Sequence, residues 1–199
     1  MNAPVRRIVF TVAVMLVAMG AASGGVLLWR SMHPPPMTMT PVAGGDASAP
    51  PVAQVSGEVK VGDRRPDLSL HDTDGRLRSI SEWDGSLLIV NFWATWCPPC
   101  LEEIPTFVAL QERFAEAGVV FLGIALDSPE RVKAFIQAQG MNYESLHGEK
   151  DAIDATRAFG NQYGGLPFTA MVGRDGRIVH LQQGIMEETQ VVGLIEANR

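Results

Sequence analysis

The sequence has few cysteines, few histidines and no excess of positive charge, and each shortage excludes a class of protein. Its two cysteines cannot build a disulfide framework or a four-thiolate zinc site. Its four histidines are scattered without ligand spacing, so we expect no bound metal. The 16 basic residues are outnumbered by 22 acidic ones, which leaves no electrostatic footprint for nucleic acid. We therefore expect no nucleic-acid partner.

The overall composition favours one globular domain with an extension. The chain has 199 residues, of which 46% are hydrophobic and 19% charged, and no internal repeat. These values exclude disorder throughout, collagen and coiled coil as descriptions of the whole chain. At about 150 residues per domain, the length allows one domain and some remainder. We divide the chain into an N-terminal hydrophobic segment (1–30), a tether (31–57) and a folded domain (58–199).

The N-terminal segment has the pattern of a membrane anchor. Arg6 and Arg7 precede an uncharged run over residues 8–29, which ends at Trp29 and is followed by Arg30. As a helix this run would span roughly 30 Å, enough for the core of a bilayer. The arginine pair should stay cytoplasmic and place the rest of the chain outside. The alternative is a cleaved signal peptide, for which 21–23 offer small residues.

The tether, residues 31–57, is rich in proline, alanine and glycine and shows no apolar periodicity. Its prolines favour extended backbone, and its glycines loosen the chain. It also holds soft side chains that could bind Cu(I), at Met32, His33, Met37 and Met39. The alternative interpretation is that these are ordinary side chains of a linker.

Beyond residue 58 the pattern predicts an α/β fold, with a mixed central sheet and helices on both faces. Residues 87–93 form a near-continuous apolar run, as expected for a strand buried on both sides. The other predicted strands are 68–71 and 77–80, forming a hairpin, and 119–125, 168–172 and 178–182. The predicted helices are 97–117, 127–139 with an acidic or hydroxyl cap, 150–159 and 187–197.

The two cysteines, Cys97 and Cys100, fall where the buried strand turns into a helix. Free backbone N–H groups and the helix dipole stabilise a thiolate at such a position. Cys97 could attack a substrate disulfide, and Cys100 could then resolve the mixed disulfide. The alternatives are half of a metal site or a structural disulfide. The spacing and the strand-to-helix context favour redox chemistry.

The residues between the cysteines, Pro98 and Pro99, tune that chemistry. Proline has no N–H, so Cys100 is left as the main local donor to a Cys97 thiolate. A less stabilised thiolate implies a lower reduction potential, which favours a reductase over an oxidant.

Two segments carry a resemblance to a known family. Residues 92–105 and Gly165-Leu166-Pro167-Phe168-Thr169 are similar to the thioredoxin superfamily. Within it, the chain resembles the membrane-anchored thiol–disulfide reductases of the TlpA, ResA and cytochrome c maturation type. The resemblance implies a thioredoxin-like fold with an extra N-terminal hairpin and a central insertion over 127–160. It also implies that Pro167 is cis and lies against the active-site disulfide, whereas the sequence alone would favour an ordinary loop proline.

The resemblance also sets expectations for function. It implies a protein of the bacterial inner membrane with its C-terminal domain in the periplasm, reducing disulfides of client proteins. Those clients would be of the cytochrome c or copper-site maturation type. Electrons would come from a transmembrane thiol donor, and the redox-active disulfide would be the sole cofactor. We expect a monomer. The alternatives are an oxidant or isomerase on the same scaffold, and a copper-binding module that uses the tether.

Six residues near the cysteines are candidates for contact with substrate or for packing of the loop. Trp93 is expected in the core. The expected substrate-binding residues are Trp96, Pro98, Pro99, Leu166 and Pro167.

Glu103 is a candidate for proton transfer. It follows Cys100 by three residues on the same helical face, and burial would raise its pKa enough for exchange with the thiol. In the family that the chain resembles, a glutamate at this offset has that type of role. Asn91 stands where thioredoxins usually carry a buried aspartate, and an amide cannot titrate. The alternative is an exposed helix carboxylate, which we expect Glu102 to be.

Overall fold

The computed structural model describes residues 59–199, which contain one seven-stranded mixed sheet. The strand order is β2-β1-β5-β4-β3-β6-β7, in which β3, β4 and β5 are parallel and the other pairs antiparallel. The strands are β1 Ser69–Asp72, β2 Leu77–Ser79, β3 Leu87–Trp93, β4 Val119–Ala125, β5 Glu144–His147, β6 Phe168–Val172 and β7 Ile178–Gln183. The helices are α1 Pro98–Phe114, α2 Pro129–Gln139, α3 Lys150–Ala158 and α4 Glu188–Asn198.

The predicted anchor (residues 8–29) and tether (31–57), with its methionines and histidine, lie outside the described residues and stay predictions. Within residues 59–199, no helix combines the length and the apolar character needed to cross a bilayer.

The central strand, β3, divides the hydrophobic core in two, because successive side chains of a strand point to opposite faces. Leu87, Ile89 and Trp93 pack with residues of α1, α2 and α4. Leu88, Val90 and Phe92 pack with residues of α3 on the other face. All seven residues of β3 are buried. The predicted α/β fold with helices on both faces of a mixed sheet is therefore confirmed.

Helix α1 begins where the sequence predicts, with Cys97 as its N-cap and two prolines in its first turn. Proline suits this position because its missing N–H would have no partner there. The regular helix ends at Phe114, and a 3₁₀ turn continues to Ala117. Gly118 then adopts a positive φ of 70°, which ends the helical segment as predicted.

The start of α2 differs from its predicted capping. Ser128 is the N-cap, but its side chain makes no capping hydrogen bond. The Asp127 carboxylate accepts the Ser128 N–H instead, at 2.8 Å, and makes further contacts described below.

One strand, β5, has no counterpart among the predicted elements. It has four residues, of which only Ser145 and Leu146 are buried, so it shows neither a long apolar run nor a clear alternation. Its register is set by distant partners, since it pairs with β4 in parallel and with β1 in antiparallel. Together with α2 and α3, β5 makes up the central insertion.

Candidate active site

The two cysteines are joined by a disulfide at the N-terminus of α1, with their Cα atoms 5.3 Å apart. Cys97 retains 4% of its surface and Cys100 none, so only Cys97 is accessible at all. Cys97 is less exposed to solvent than expected for a residue at a helix N-terminus, because it also packs against the hydrophobic core beside α1. A sulfur of another molecule could therefore reach Cys97 but not Cys100.

The Cys97 sulfur has one hydrogen-bond donor within the described part of the chain. Cys100 N–H lies 3.4 Å from Cys97 Sγ and is shared with the Cys97 carbonyl oxygen at 3.0 Å. Pro98 is exposed and Pro99 half-buried, and neither carries an N–H. A Cys97 thiolate would thus receive little stabilisation from hydrogen bonds.

The Leu166–Pro167 peptide bond is cis, as the resemblance implies. Leu166 packs against the hydrophobic cluster that contains both cysteines. The Pro167 carbonyl accepts from Gly184 N–H and from the Gln183 amide, at 2.9 and 3.0 Å. Within residues 59–199 the backbone N–H and C=O of Leu166 have no partner. They are therefore available to an extended peptide beside the disulfide.

A groove of about 460 Å³ is lined by Trp96, the residue before Cys97, and by Leu166, the residue before the cis proline. The Trp96 side chain in this groove is 62% exposed. Leu126 and the partly exposed Ile153 add apolar surface, and Arg131 and Arg157 add charge. Two of the predicted substrate-binding residues thus share a groove with side chains of the insertion. Nothing in their sequence spacing indicates this, because Ile153 and Arg157 lie more than 50 residues from Trp96.

The loop before Cys97 is tied to the insertion through a buried carboxylate. Thr95 donates a hydrogen bond from its hydroxyl to Asp127, whose side chain is only 1% exposed. Arg131 contacts the same carboxylate at 2.8 Å. Asp127 therefore positions the loop that carries Trp96 and Cys97. The sequence suggested only a helix cap for this residue.

Glu103 is buried on the same face of the sheet as the cysteines, with 2% of its surface exposed. Its carboxylate accepts from Asn91 Nδ2 at 2.7 Å and from Met186 N–H at 3.2 Å. Burial raises the pKa of Glu103 to about 7, although both hydrogen bonds act in the opposite direction. The exposed-carboxylate alternative therefore does not hold for Glu103, whereas Glu102 is exposed as expected.

The neighbours of Glu103 come from three separate parts of the chain. Asn91 lies on β3, and its Nδ2 also donates to Thr169 Oγ1 on β6, at 3.1 Å. Met186 lies in the loop before α4, and no sequence pattern indicated its role. Burial, followed by the charge of Glu103, raises the pKa of the nearby Tyr143 hydroxyl. The carboxyl group thus sits at a junction of β3, β6, α1 and the loop before α4.

Trp93 is fully buried, as expected of a core residue. Among residues 59–199, no three His, Cys, Asp or Glu side chains are grouped so that they could hold a metal ion.

A comparison with known families and proteins agrees with this site. Residues 60–195 match the family model described as Redoxin. The thiol–disulfide oxidoreductase ResA of Geobacillus thermodenitrificans is 28% identical over 140 residues, which cover 70% of this chain and 78% of that protein. ResA of Bacillus subtilis is 27% identical over 135 residues, which cover 67% of this chain and 73% of that protein.

Solved structures show the same fold. A thiol:disulfide interchange protein of the thioredoxin family from Chlorobium tepidum has a TM-score of 0.61 and 29% identity, covering 70% of this chain and 97% of its own. The thioredoxin domain of a Bacteroides vulgatus thiol–disulfide oxidoreductase, at 20% identity and a TM-score of 0.62, supports the fold alone; the match covers 71% of this chain and 99% of that one. With its family match, its fold and its cysteine pair, the chain belongs to the redoxin family and is a ResA-like thiol–disulfide oxidoreductase of the thioredoxin superfamily.

Proposed function

We propose that this protein is a membrane-tethered, periplasm-facing reductase that transfers two electrons from its Cys97–Cys100 dithiol to disulfides of client proteins. The observation that carries the direction of transfer is the single, shared N–H donor at Cys97 Sγ. Weak stabilisation of the thiolate makes the dithiol a better electron donor than a protein with a strongly stabilised thiolate.

The reaction proceeds in two exchanges. The Cys97 thiolate attacks one client sulfur, forming a bond between Cys97 and the client and releasing the second client sulfur as a thiolate, which takes up a proton. The Cys100 thiol then gives its proton to the Glu103 carboxylate and attacks Cys97 Sγ, which releases the first client sulfur. The client disulfide has gained two electrons, and the cysteine pair has become a disulfide. Glu103 suits the second exchange because it follows Cys100 by one helical turn and its pKa is about 7.

The client would bind as an extended segment in the groove beside Trp96. The free backbone groups of Leu166 would pair with the client backbone, and the apolar side chains of the groove would hold a residue next to the client cysteine. The exposed Pro98, the half-buried Pro99 and the Trp96 indole would complete the contact.

The location, the electron source and the clients follow from the anchor pattern and the family resemblance. Residues 8–29 would hold the chain in the bacterial inner membrane, and a transmembrane thiol protein would re-reduce the disulfide. Apocytochrome c thiols and cysteines of copper-site assembly factors are the client classes that we propose.

Trapping of mixed disulfides tests this function. We expect Cys100→Ser to accumulate covalent complexes with periplasmic proteins through Cys97, because no thiol remains to release them. Cys97→Ser is the matched control and should trap almost none. Equal trapping by the two variants, or trapping mainly through Cys100, would contradict the assigned direction of attack.

The reduction potential tests the direction of electron flow. Equilibration of the purified protein with glutathione or thioredoxin buffers should give a value near that of thioredoxin, roughly −270 mV. A value near −120 mV would instead identify an oxidant of the same fold.

A further inference from the structure

In the described part of the chain, the side-chain amide of Asn91 has hydrogen-bond partners for its nitrogen but none for its oxygen. Its Nδ2 donates two hydrogen bonds, to Glu103 Oε1 at 2.7 Å and to Thr169 Oγ1 at 3.1 Å. Its Oδ1 is buried and has no partner within the described residues. Asn91 and Thr169 are directly opposite each other in the β3–β6 register, so both side chains reach the same face as Glu103.

The two hydrogen bonds of the Glu103 carboxylate suit its ionised form. An ionised carboxylate accepts hydrogen bonds, and both of its partners, Asn91 Nδ2 and Met186 N, donate them. A protonated carboxyl has an O–H that needs an acceptor. Neither Asn91 nor Met186 can provide one in the observed orientation, so the neutral form can donate to Asn91 only if the amide turns. The proposed reaction nevertheless requires Glu103 to take up and release a proton.

We propose that Asn91 is the positioning residue for this proton. Its side-chain amide rotates by about 180° each time Glu103 gains or loses the proton. Rotation about the Cβ–Cγ bond exchanges Nδ2 and Oδ1, which are nearly equal in shape. Oδ1 then faces both Glu103 and Thr169. The protonated carboxyl and the Thr169 hydroxyl can each donate to it.

Asn91 can make the same number of hydrogen bonds in both states. With Glu103 ionised, Asn91 makes two hydrogen bonds and leaves one buried acceptor without a partner. With Glu103 protonated, the turned amide again makes two hydrogen bonds and leaves Nδ2 at the former position of Oδ1. The number of hydrogen bonds is the same, but the bond to the ionised carboxylate is the stronger, so Asn91 favours the ionised form and still gives the neutral form an acceptor. A buried aspartate in place of Asn91 would instead compete for the same proton.

The inference rests on the proposed function in one respect, namely that the proton on Glu103 comes from Cys100. When that thiol transfers its proton, the sulfur becomes the attacking thiolate, Glu103 becomes neutral, and Asn91 turns to accept the new O–H. When the proton leaves for solvent or for the departing client thiolate, the amide turns back.

The titratable groups around Glu103 are few. Cys100 precedes it on α1, Cys97 caps that helix, and Tyr143 faces it from the segment before β5. Glu102 and Glu187, on the neighbouring stretches of chain, are exposed. In the oxidised protein the cysteines do not titrate, so a pH titration reports Glu103 without interference from the thiols.

Nuclear magnetic resonance on the full, oxidised chain in detergent micelles tests the rotation of the Asn91 amide. The Glu103 side-chain carboxyl ¹³C signal gives the midpoint of its titration. We expect contacts from the Asn91 amide protons to Glu103 Hγ at high pH, and their loss at low pH with that same midpoint. Contacts that persist unchanged while Glu103 titrates would overturn the proposal.

Glu103→Gln is a control in which the orientation of the Asn91 amide should not change with pH. The new amide must present its oxygen to Met186 N–H, which leaves its NH₂ toward Asn91 and holds Asn91 in the turned orientation at every pH. A pH-dependent pattern in this variant would contradict the proposal.

Asn91→Leu and Thr169→Val separate positioning from packing. Asn91→Leu removes a donor from the Glu103 carboxylate, so the titration midpoint should rise by ~1 pH unit or more. Thr169→Val keeps that donor and should shift the midpoint less. A purely structural Asn91 would leave the midpoint unchanged, which would also overturn the proposal. Because the readouts involve no client, trapping by Cys100→Ser can succeed or fail independently of them.

Discussion

At the scale of single residues, the ionisation of Glu103 is opposed by its surroundings. Burial disfavours the charged form more than the two hydrogen bonds favour it, and the resulting pKa of about 7 lies above the ordinary value of 4.5. The same group that suits proton transfer therefore weakens the fold when it is charged.

The sign of the effect on stability follows from linkage. Between pH 4.5 and 7 the unfolded chain has lost the Glu103 proton and the native protein keeps it, so stability falls as the pH rises through this window. We expect Glu103 to contribute a loss of about 3 kcal/mol to the free energy of unfolding by pH 8. Urea unfolding of the oxidised protein from pH 4 to 8 should show the loss in the wild type and not in Glu103→Gln.

Glu102→Gln is the matched control for that experiment, because Glu102 is the adjacent carboxylate and is exposed. Its pH dependence should follow that of the wild type. If Glu103→Gln retained the full slope, Glu103 would not be the group that titrates.

The hydrogen bond from Thr95 to Asp127 is a second residue-scale feature with a measurable effect. Thr95→Val keeps the shape of the side chain and removes one of the donors to a buried carboxylate. We expect the free energy of unfolding to fall by about 1.5–3 kcal/mol. Alkylation of reduced Cys97 should also change, because the loop that carries it is less constrained. Thr106→Val, on α1 and without a side-chain hydrogen bond in the described part of the chain, should have little effect on either measurement.

The sequence predicted the site where the chemistry depends on neighbours along the chain. The predicted roles of Cys97, Cys100 and Glu103 rest on their spacing along one helix and on the family resemblance. The contacts of Asp127 with Thr95 and of Met186 with Glu103 span 32 and 83 residues, and no local pattern marks them. Their recognition required the folded chain.

At the scale of secondary-structure elements, the same division applies. Strands β3 and β4 were predictable because long apolar runs indicate burial on both faces. Strand β5 was not, because four residues of mixed polarity carry no periodic signal and the pairing comes from β1 and β4. Sequence patterns thus predicted the long apolar strands and the short N-terminal hairpin, whereas β5 is specified by its tertiary contacts.

The packing of β5 on β4 depends on a glycine. A Cβ at Gly123 would lie 2.5 Å from Ser145 Oγ and 2.9 Å from Trp93 Nε1, both closer than side chains tolerate. We expect Gly123→Ala to lower the free energy of unfolding by about 1–3 kcal/mol, measured by urea denaturation. Adding Ser145→Ala should recover part of the loss by removing the nearest atom.

Gly193, within α4, is the matched control. A Cβ there meets no atom within 4 Å, and the helix gains from the lower flexibility of alanine. Gly193→Ala should therefore stabilise the protein by about 0.5–1 kcal/mol. Opposite signs for the two substitutions are the expected result, and a loss of stability in both would show that space at Gly123 is not the cause.

At the scale of the whole molecule, the sheet carries the two cysteines on one face and a second hydrophobic cluster on the other. The groove lies where the two hydrophobic clusters meet. Glu103 and both cysteines lie on the face covered by α1, α2 and α4. Leu126 and Leu166, which line the groove, pack against both hydrophobic clusters. A client bound in the groove would therefore contact both faces of the fold at the end of the sheet where Cys97 is accessible.

The last prediction concerns the attachment of this domain to a membrane. Arg6, Arg7 and the uncharged run over residues 8–29 predict a segment that stays in the bilayer, since transfer of about 20 apolar residues is not reversed by salt. We expect the full chain to stay with the membrane fraction after high-salt and carbonate washing and to keep its N-terminal sequence. Replacement of two central apolar residues, Val14→Arg and Val17→Arg, should release the protein or block its insertion, whereas Val14→Leu and Val17→Leu should not. A soluble wild-type product whose sequence begins near Ser23 would show that the segment is a cleaved signal and that the reductase acts free in its compartment.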